Sequence, residues 1–346
     1  MRETIEQWLT EAYYQNASDV HLTIGKAPIF RVNGRLVEQD KPRLKPSETK
    51  QIIEAILPET LWQHLELNRE IDFSYGIQGV SRFRINTFYQ RGELSLAIRI
   101  IPNRIPSIEE LNLPAVTKEI VLEPQGLVLV TGPTGSGKST TLASMIDFIN
   151  QTMQKHIITL EDPIEYMHSH NQSIIDQREV GFDTKSFVNG LRASLRQDPD
   201  IILLGEMRDL ETISTAITAA ETGHLVLGTL HTTDAVSTIE RIIDVFPPAQ
   251  QTQIRIQLST ILKAVISQRL LVTRDHAGRR AATEVLRNTS AVKNLIRNEK
   301  LHQIQNVLQT SREQGMHTLD MELKRLVQEN LITMEDAAPF MQGRST

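Results

Sequence analysis

The sequence contains no cysteine among its 346 residues. This absence excludes disulfide bonds and zinc sites built on thiolates. The sequence also lacks an apolar run of about 18 residues, the length that a membrane-spanning helix requires, so no transmembrane segment is expected. The N-terminal stretch MRETIEQWLTEAYY is polar and has no apolar signal-peptide core. These absences predict a cytoplasmic protein.

Aromatic residues are scarce, at 5% of the chain, and the formal net charge is −5. Proteins that bind single-stranded nucleic acid place aromatic side chains among basic ones, and other nucleic-acid-binding proteins concentrate Lys and Arg on one surface. The sequence shows neither pattern, so no nucleic-acid partner is expected and a nucleic-acid motor is only a remote alternative. Its hydrophobic content of 40% is typical of a globular protein, and its length allows one large domain or two ordinary ones.

The first hundred residues are predicted to form a mixed α+β domain, which we place at residues 1–101. Asn33 and Gly34 lie between two short apolar segments, a pattern that predicts a β-hairpin. The alternation in VSRFRINTFY and ELSLAIRII predicts half-buried strands of an antiparallel sheet. The apolar spacing in SETKQIIEAIL predicts a helix.

After this domain, the sequence changes to a proline-containing segment and then to a series of apolar runs. Three prolines, at Pro102, Pro106 and Pro114, interrupt regular structure, so residues 102–118 are predicted to be a linker. The apolar runs GLVLVTG, HIITLED, DIILLGE and HLVLGTL then predict a parallel sheet covered by helices. The segments IRIQLSTILKAVISQRLL and TLDMELKRLVQENLI indicate a helical end to this second domain, residues 119–346.

The segment that follows GLVLVT contains the complete P-loop pattern, with a predicted strand before it and a predicted helix after it. Glycines allow backbone N–H groups to approach phosphate oxygens, and the start of a helix adds its positive dipole end. Lys138 is expected to reach the β- and γ-phosphates, and the Ser139 hydroxyl is expected to bind Mg²⁺. The predicted nucleotide-binding residues are Gly132, Pro133, Thr134, Gly135, Ser136, Gly137, Lys138, Ser139 and Thr140.

Acidic residues follow two of the other apolar runs. DIILLGEMRD places Glu206 after a buried strand, where it is expected to help Ser139 to hold the metal beside the phosphates. ITLEDPIEY carries Glu161, Asp162 and Glu165, three carboxylates that repel one another unless a cation lies among them. A magnesium–nucleotide complex supplies that cation, so these acids are predicted to belong to the same site.

Two histidines flank the strand in GHLVLGTLHTTDA. His224 precedes the apolar run, and His231 follows it together with Thr232 and Thr233. A hydrogen-bond donor at the end of a strand could sense the γ-phosphate, so His231 is predicted to have this role. His224 is a second candidate functional residue.

In this order, the P-loop, ITLEDPIEY, DIILLGEMRD and GHLVLGTLHTT resemble the Walker A motif, Asp box, Walker B motif and His box of secretion-superfamily ATPases. These ATPases drive type II secretion and type IV pili. The resemblance extends over nearly the whole chain through ASDVHLT, RFRINTF, LRASLRQDPD, ITAAETGHLV and VISQRL. The segment AVKNLIRNEK, residues 291–300, resembles an element of the type IV pilus retraction ATPases, the PilT family.

This resemblance implies a homohexameric ring whose subunits have an N-terminal PAS-like α+β domain and a RecA-like P-loop NTPase domain with a helical C-terminal part. It implies ATP and Mg²⁺ as cofactors, and a platform protein of the inner membrane as a partner at the cytoplasmic face. Arg84 and Arg99 match arginines with which the family's N-terminal domain contributes to the nucleotide pocket. The implied catalytic set is Glu165, which the family favours for orienting water, with Glu161, Glu206, His231, His224, Arg84 and Arg99.

Three alternatives stay open from the sequence. The first is an assembly ATPase for pili or pseudopili, although many of those carry a four-cysteine zinc motif and an additional N-terminal domain. The absence of cysteine and the position of ASDVHLT near the start favour a retraction ATPase. The other two are an accessory retraction ATPase and a scaffold that binds ATP without hydrolysing it.

Overall fold

The structure, a computed structural model, describes residues 1–32, 34–102 and 104–341. The chain divides into an N-terminal unit, Met1–Arg104 with Glu165–Met167, and a C-terminal unit, Ile105–Ile164 with His168–Thr346. Within the described ranges, none of the helices combines the length and the apolar character that crossing a bilayer requires. The predicted linker, residues 102–118, spans the point where the two units divide.

The N-terminal unit contains one antiparallel sheet and three helices. The strands are β1 (Ala17–Leu22), β2 (Ile29–Val32), β3 (Arg35–Glu38), β4 (Glu70–Ile77), β5 (Ser81–Gln90) and β6 (Glu93–Ile100). The helices are α1 (Arg2–Tyr14), α2 (Pro46–Ile56) and α3 (Glu59–Asn68). The strand order is β3-β2-β1-β6-β5-β4, and each neighbouring pair is antiparallel. The predicted antiparallel sheet is therefore confirmed.

The two faces of this sheet differ in polarity, as the alternation in the sequence predicts. Phe83 and Ile85 of β5 are buried in one apolar core with residues of all three helices. Arg84, which lies between them in sequence, is on the opposite face. The predicted hairpin is formed by β2 and β3, although Asn33 itself lies outside the described residues.

The C-terminal unit is built around a seven-stranded sheet. Its strands are β7 (Gly126–Thr131), β8 (His156–Glu161), β9 (Ile174–Glu179), β10 (Ile201–Leu204), β11 (Leu225–Leu230), β12 (Leu262–Val272) and β13 (Arg279–Arg287). Its helices are α4 (Val116–Val121), α5 (Lys138–Thr152), α6 (Phe187–Ser194), α7 (Leu210–Glu221), α8 (Ala235–Asp244), α9 (Pro248–Ile261), α10 (Ser290–Arg297), α11 (Ile304–Thr310), α12 (Leu319–Gln328) and α13 (Met334–Ala337). The order is β13-β12-β7-β11-β10-β8-β9, and every pair is parallel except β12 with β13.

Helices cover both faces of this sheet, which explains why its central strands are predominantly apolar. Val128 and Val130 of β7 share a core with residues of α4 and α5. Leu127 and Leu129 belong to a second core with residues of α7, α8 and α9. A strand that is buried on both sides has no need for polar alternation. The arrangement places the carboxyl ends of four parallel strands, β7, β8, β10 and β11, at one edge of the sheet.

One part of the fold differs from the sequence-based prediction. The segment IRIQLSTILKAVISQRLL is helical only to Ile261, where α9 ends, and continues as strand β12. β12 is parallel to β7 and antiparallel to β13, so two long strands occupy the region predicted to be helical. Short apolar runs fit a buried helix and a buried strand equally well, and here pairing with β7 decides the outcome. The later helical prediction holds, since α12 lies in TLDMELKRLVQENLI.

Candidate nucleotide-binding site

The P-loop joins the carboxyl end of β7 to the start of α5. Gly132, Gly135 and Gly137 have φ angles of 145°, 77° and 89°, in the region that side-chain-bearing residues rarely adopt. At Gly132, a Cβ atom would lie 2.4 Å from the backbone oxygen of Gln268 and 2.6 Å from Ser136 Oγ. The spacing of glycines therefore matches positions where the loop has a left-handed backbone or no room for a side chain.

Lys138 is the first residue of α5, and its side chain folds back over the loop. Its Nζ donates hydrogen bonds to the carbonyl oxygens of Gly132 at 2.8 Å and Pro133 at 3.1 Å. Ser139 and Thr140 follow in the first turn of the same helix, whose N-terminal end carries partial positive charge. This arrangement places an ammonium group, a helix N-terminus and a hydroxyl group at one end of the sheet.

Glu206 lies just beyond β10, two strands away from the P-loop strand. The backbone on both sides of it is fixed, because Gly205 N donates to Leu160 O at 2.8 Å and Met207 N donates to Thr229 O at 3.0 Å. His231 Nε2 lies 2.9 Å from the carboxylate oxygen Oε1 of Glu206, within ion-pair distance. The structure therefore brings together the two residues predicted from the Walker B motif and the His box.

Arg208 also donates to the carboxylate of Glu206, and this hydrogen bond raises the pKa of the guanidinium. A cavity of about 630 Å³ opens beside these groups. Its lining includes Thr134 of the P-loop, Glu206, Arg208, His231 and Arg241 of α8. Residues of the P-loop, the Walker B motif and the His box thus border one cavity.

Two of these lining residues, Arg208 and Arg241, are not among the candidates from sequence. Arg208 stands two positions after Glu206, and this spacing is a signal that sequence reasoning could have used. Arg241 lies in an amphipathic helix like many others, and only the tertiary fold brings it to the cavity. The cavity therefore holds two guanidinium groups that suit an anionic ligand.

The acids of the Asp box are held differently from one another. Glu161 is the last residue of β8, and its Oε1 accepts hydrogen bonds from Thr159 Oγ1 at 2.6 Å and Gln177 Nε2 at 3.1 Å. Asp162 and Glu165 are exposed in the segment that follows, and Glu165 is grouped with the N-terminal unit. Glu161 is therefore fixed at the end of its strand, and the choice of the water-orienting acid stays a prediction.

His224 lies at the other end of the sheet. It precedes β11, and its Nδ1 is 2.9 Å from the carbonyl oxygen of Ala219 at the end of α7. Because β11 and β7 run in parallel, with Leu225 opposite Gly126, His224 is at the edge remote from the P-loop. Within one chain, the structure does not bring His224 to His231 or to the cavity.

Arg84 and Arg99 lie directly opposite each other on β5 and β6 of the N-terminal unit. Arg99 Nε is 3.2 Å from Asp19 Oδ1, and Arg84 Nε is 3.8 Å from Asp72 Oδ1. Both arginines line a polar cavity of about 270 Å³ on this face of the sheet. The structure thus brings together the two arginines singled out in the sequence.

The fold and this site define a class of protein. A P-loop between a buried parallel strand and a helix, with an acid and a histidine at neighbouring strand ends, is the arrangement of RecA-like P-loop nucleotide-binding domains.

The chain belongs to the type II/IV secretion system protein family, whose model matches residues 1–338. It is 47% identical over 333 residues to the "Type IV pilus retractation ATPase PilT" of Pseudomonas aeruginosa, and the matched residues make up 96% of this chain and 96% of that protein. It is 48% identical over 310 residues to the "Twitching motility protein" of Neisseria gonorrhoeae, and the matched residues make up 90% of this chain and 83% of that protein. The family predicted from the motifs is therefore confirmed.

Solved structures give the same result for the fold. A crystal structure of the pilus retraction motor PilT with bound ADP is similar to this chain with a TM-score of 0.91 and 50% sequence identity. The similarity covers 99% of this chain and 97% of that one. The predicted fold class, with an N-terminal α+β domain and a RecA-like ATPase domain, is confirmed.

Proposed function

We propose that this protein is an ATP-hydrolysing motor that powers the retraction of type IV pili. The observation that carries the proposal is the 47% identity to a protein named as a pilus retraction ATPase over 96% of both chains. The family is one of ATPases, so the chain is an ATPase. The retraction role, the hexameric ring and the site residues are the further content of the proposal.

ATP is proposed to bind with its phosphates on the P-loop, residues 132–140. The left-handed glycines leave the backbone accessible, and the first turn of α5 adds its positive end to the charge of Lys138. Arg208 and Arg241 add positive charge along the neighbouring cavity. A triphosphate carries several negative charges, so this concentration of donors fits its chemistry.

Mg²⁺ is proposed to be held by Ser139 and Glu206. Among the described residues, no group of three or more His, Cys, Asp or Glu side chains could hold a metal ion alone. Mg²⁺ in nucleotide sites takes only one or two protein ligands and completes its shell with phosphate oxygens and water, so a hydroxyl and a carboxylate fit it. When bound, Mg²⁺ neutralises charge on the β- and γ-phosphate oxygens.

Water activation is proposed for the Asp box, with Glu165 orienting the attacking water and Glu161 supporting it. Thr159 and Gln177 donate to Glu161, so its carboxylate has a fixed position at the sheet edge. His231 is proposed to report the state of the γ-phosphate, since its Nε2 lies 2.9 Å from Glu206 Oε1 and it lines the same cavity. His224 lies at the opposite end of the sheet from this cavity, so we propose no contact between it and the nucleotide within one chain.

Arg84 and Arg99 are proposed to stabilise charge on the transferred phosphoryl group, as the family resemblance implies. Replacing Arg99 by Ala should lower kcat for ATP hydrolysis by about 10²-fold or more, because a guanidinium acts on charge that develops in the transition state. Phosphate release at saturating ATP measures this change. Arg31→Ala is a matched control, since Arg31 also faces Asp19, with Nε 3.7 Å from its Oδ2. Equal rates for the two variants would contradict the role of Arg99.

Six copies of the chain are proposed to form a ring at the cytoplasmic face of the inner membrane. The proposed domains are residues 1–101 and 119–346, with the proline-containing linker, residues 102–118, as the hinge. Hydrolysis would change the arrangement of the domains, and the ring would pass this motion to a platform protein of the membrane. The motion would remove pilin subunits from the base of the fibre.

Deletion of the gene should leave cells with surface pili but without twitching motility, because fibres are assembled and not withdrawn. The wild-type gene should restore twitching, and a Lys138→Ala gene should not. Twitching zones and pili counted by electron microscopy measure both outcomes. Loss of pili in the deletion strain would contradict retraction and favour the assembly ATPase.

A further inference from the structure

Gln268 is a buried polar residue in the strand β12, next to the P-loop. It lies in the segment VISQRLL of β12, and its side chain is 2% exposed. β12 is parallel to β7, with Ser267 opposite Thr131, so Gln268 is one position beyond the last pair and next to the loop. Burying an amide costs free energy unless both of its ends are hydrogen-bonded.

Both polar atoms of the Gln268 side chain form hydrogen bonds, one with the P-loop and one with the first turn of α5. Its Nε2 donates to the carbonyl oxygen of Ser136 at 2.6 Å. Its Oε1 accepts a hydrogen bond from the hydroxyl of Thr141 at 2.9 Å. One side chain thus joins the last part of the loop to the first turn of α5, on either side of Lys138.

The backbone of Gln268 also lies close to the start of the loop. Its carbonyl oxygen is the atom that a Cβ on Gly132 would approach to 2.4 Å, so backbone and backbone are in close contact there. At Gly137, a Cβ atom would lie 3.1 Å from Gln268 Nε2. A single residue of β12 therefore contacts the loop at its beginning, at its end and in the helix that follows.

We propose that Gln268 is a positioning residue that holds the P-loop in the conformation that binds phosphate. This inference rests on the proposed binding of ATP at the P-loop. A glutamine is suited to the role because it offers a donor and an acceptor on one rigid plane. A glutamate at this position would offer two acceptors and leave the buried Ser136 carbonyl facing an oxygen. A methionine would fill the same space without hydrogen bonds.

Gln268→Met and Gln268→Glu should raise the Kd for a fluorescent ATP analogue with Mg²⁺ by about 10- to 100-fold, which corresponds to about 1.4 to 2.8 kcal/mol. Without these hydrogen bonds the P-loop is no longer preorganised, so part of the binding free energy of ATP must be used to order the loop. The value of kcat at saturating ATP should change much less than KM. Gln257→Met is the control, since Gln257 is a half-buried glutamine of α9 whose Nε2 donates to Glu221 Oε2 at 3.0 Å.

Thr141 provides a second, milder test if the Gln268 variants fail to fold by circular dichroism. Thr141→Val removes the donor to Gln268 Oε1 and should also raise the Kd, whereas Thr141→Ser keeps the hydroxyl and should restore binding close to that of the wild type.

If the variants melt at a lower temperature yet bind ATP as the wild type does, Gln268 is only a structural residue. If the wild-type protein itself fails to bind the analogue, the proposed function is wrong and not merely this inference.

Discussion

Lys138→Ala should abolish ATP hydrolysis, with a loss of about 10³-fold or more, and should weaken ATP binding as well. The Nζ of Lys138 is held over the loop by the carbonyl oxygens of Gly132 and Pro133. Alanine removes the charge that would face the β- and γ-phosphates in both the ground state and the transition state. Phosphate release and the Kd of a fluorescent ATP analogue measure the two effects.

Lys324→Ala is a suitable control for this experiment. Lys324 lies on α12 of the same unit, pairs with Asp320 and is 60% exposed, and exposed ion pairs contribute little to stability. Circular dichroism and the melting temperature should be similar for both variants and the wild type. Turnover by Lys138→Ala at the wild-type rate would remove the basis for placing ATP on the P-loop.

Glu206→Gln should preserve ATP binding within about threefold and lower kcat by about 10²-fold or more. Glutamine keeps the size of the side chain and an oxygen that can accept from Arg208, but it loses the negative charge that would face the metal. The hydrogen bonds of Gly205 and Met207 to the neighbouring strands do not involve the side chain, so the local backbone should persist. Steady-state kinetics at saturating ATP and Mg²⁺, together with direct binding, separate these effects.

Glu211→Gln provides the matched control for Glu206. Glu211 is an exposed acid on α7 that pairs with Arg192, close in sequence to the Walker B motif and outside the residues that line the cavity. Its neutralisation should leave kcat and Kd near the wild-type values. Equal activity of Glu206→Gln and Glu211→Gln would show that Glu206 has no part in hydrolysis.

The variants Lys138→Ala and Glu206→Gln test different steps, since the first concerns nucleotide binding and the second concerns hydrolysis. Lys138 faces the phosphates directly, so its loss should affect both Kd and kcat. Glu206 would act through the metal and the transition state, so its loss should affect mainly kcat. A result in which Glu206→Gln loses binding and Lys138→Ala keeps it would reverse the roles assigned to these two residues.

Local sequence signals were sufficient for most of the parallel sheet. The runs around Leu127, Ile157, Ile202 and Val226 are predominantly apolar, and each forms a strand of that sheet. They are separated by helices and end in Gly, Glu or His, so the side of the sheet where polar groups collect also follows from the order of elements. For the same reason, Lys138 and Glu206 were identifiable as members of one site.

The sequence signals failed where an apolar segment had two possible partners. LKAVISQRLL was predicted to continue a helix, and it forms β12 because β7 presents a free edge on that side. β9 was not predicted, since IIDQRE is short and polar and pairs only at the outer edge of the sheet. His224 and His231 flank one strand in the sequence, so they lie at opposite ends of the sheet, and only His231 lines the cavity.

The sequence by itself determined that this chain has a P-loop, which strands precede the site and which family it belongs to, because those properties depend on residue type and local spacing. Only the tertiary structure decided that His231 lies beside the carboxylate of Glu206, that Arg241 reaches the cavity and that Gln268 contacts the loop. These contacts join residues from different elements, and Gln268 is 132 positions away from Ser136 in sequence. Strand pairing and side-chain burial determine such contacts, and no local pattern encodes them.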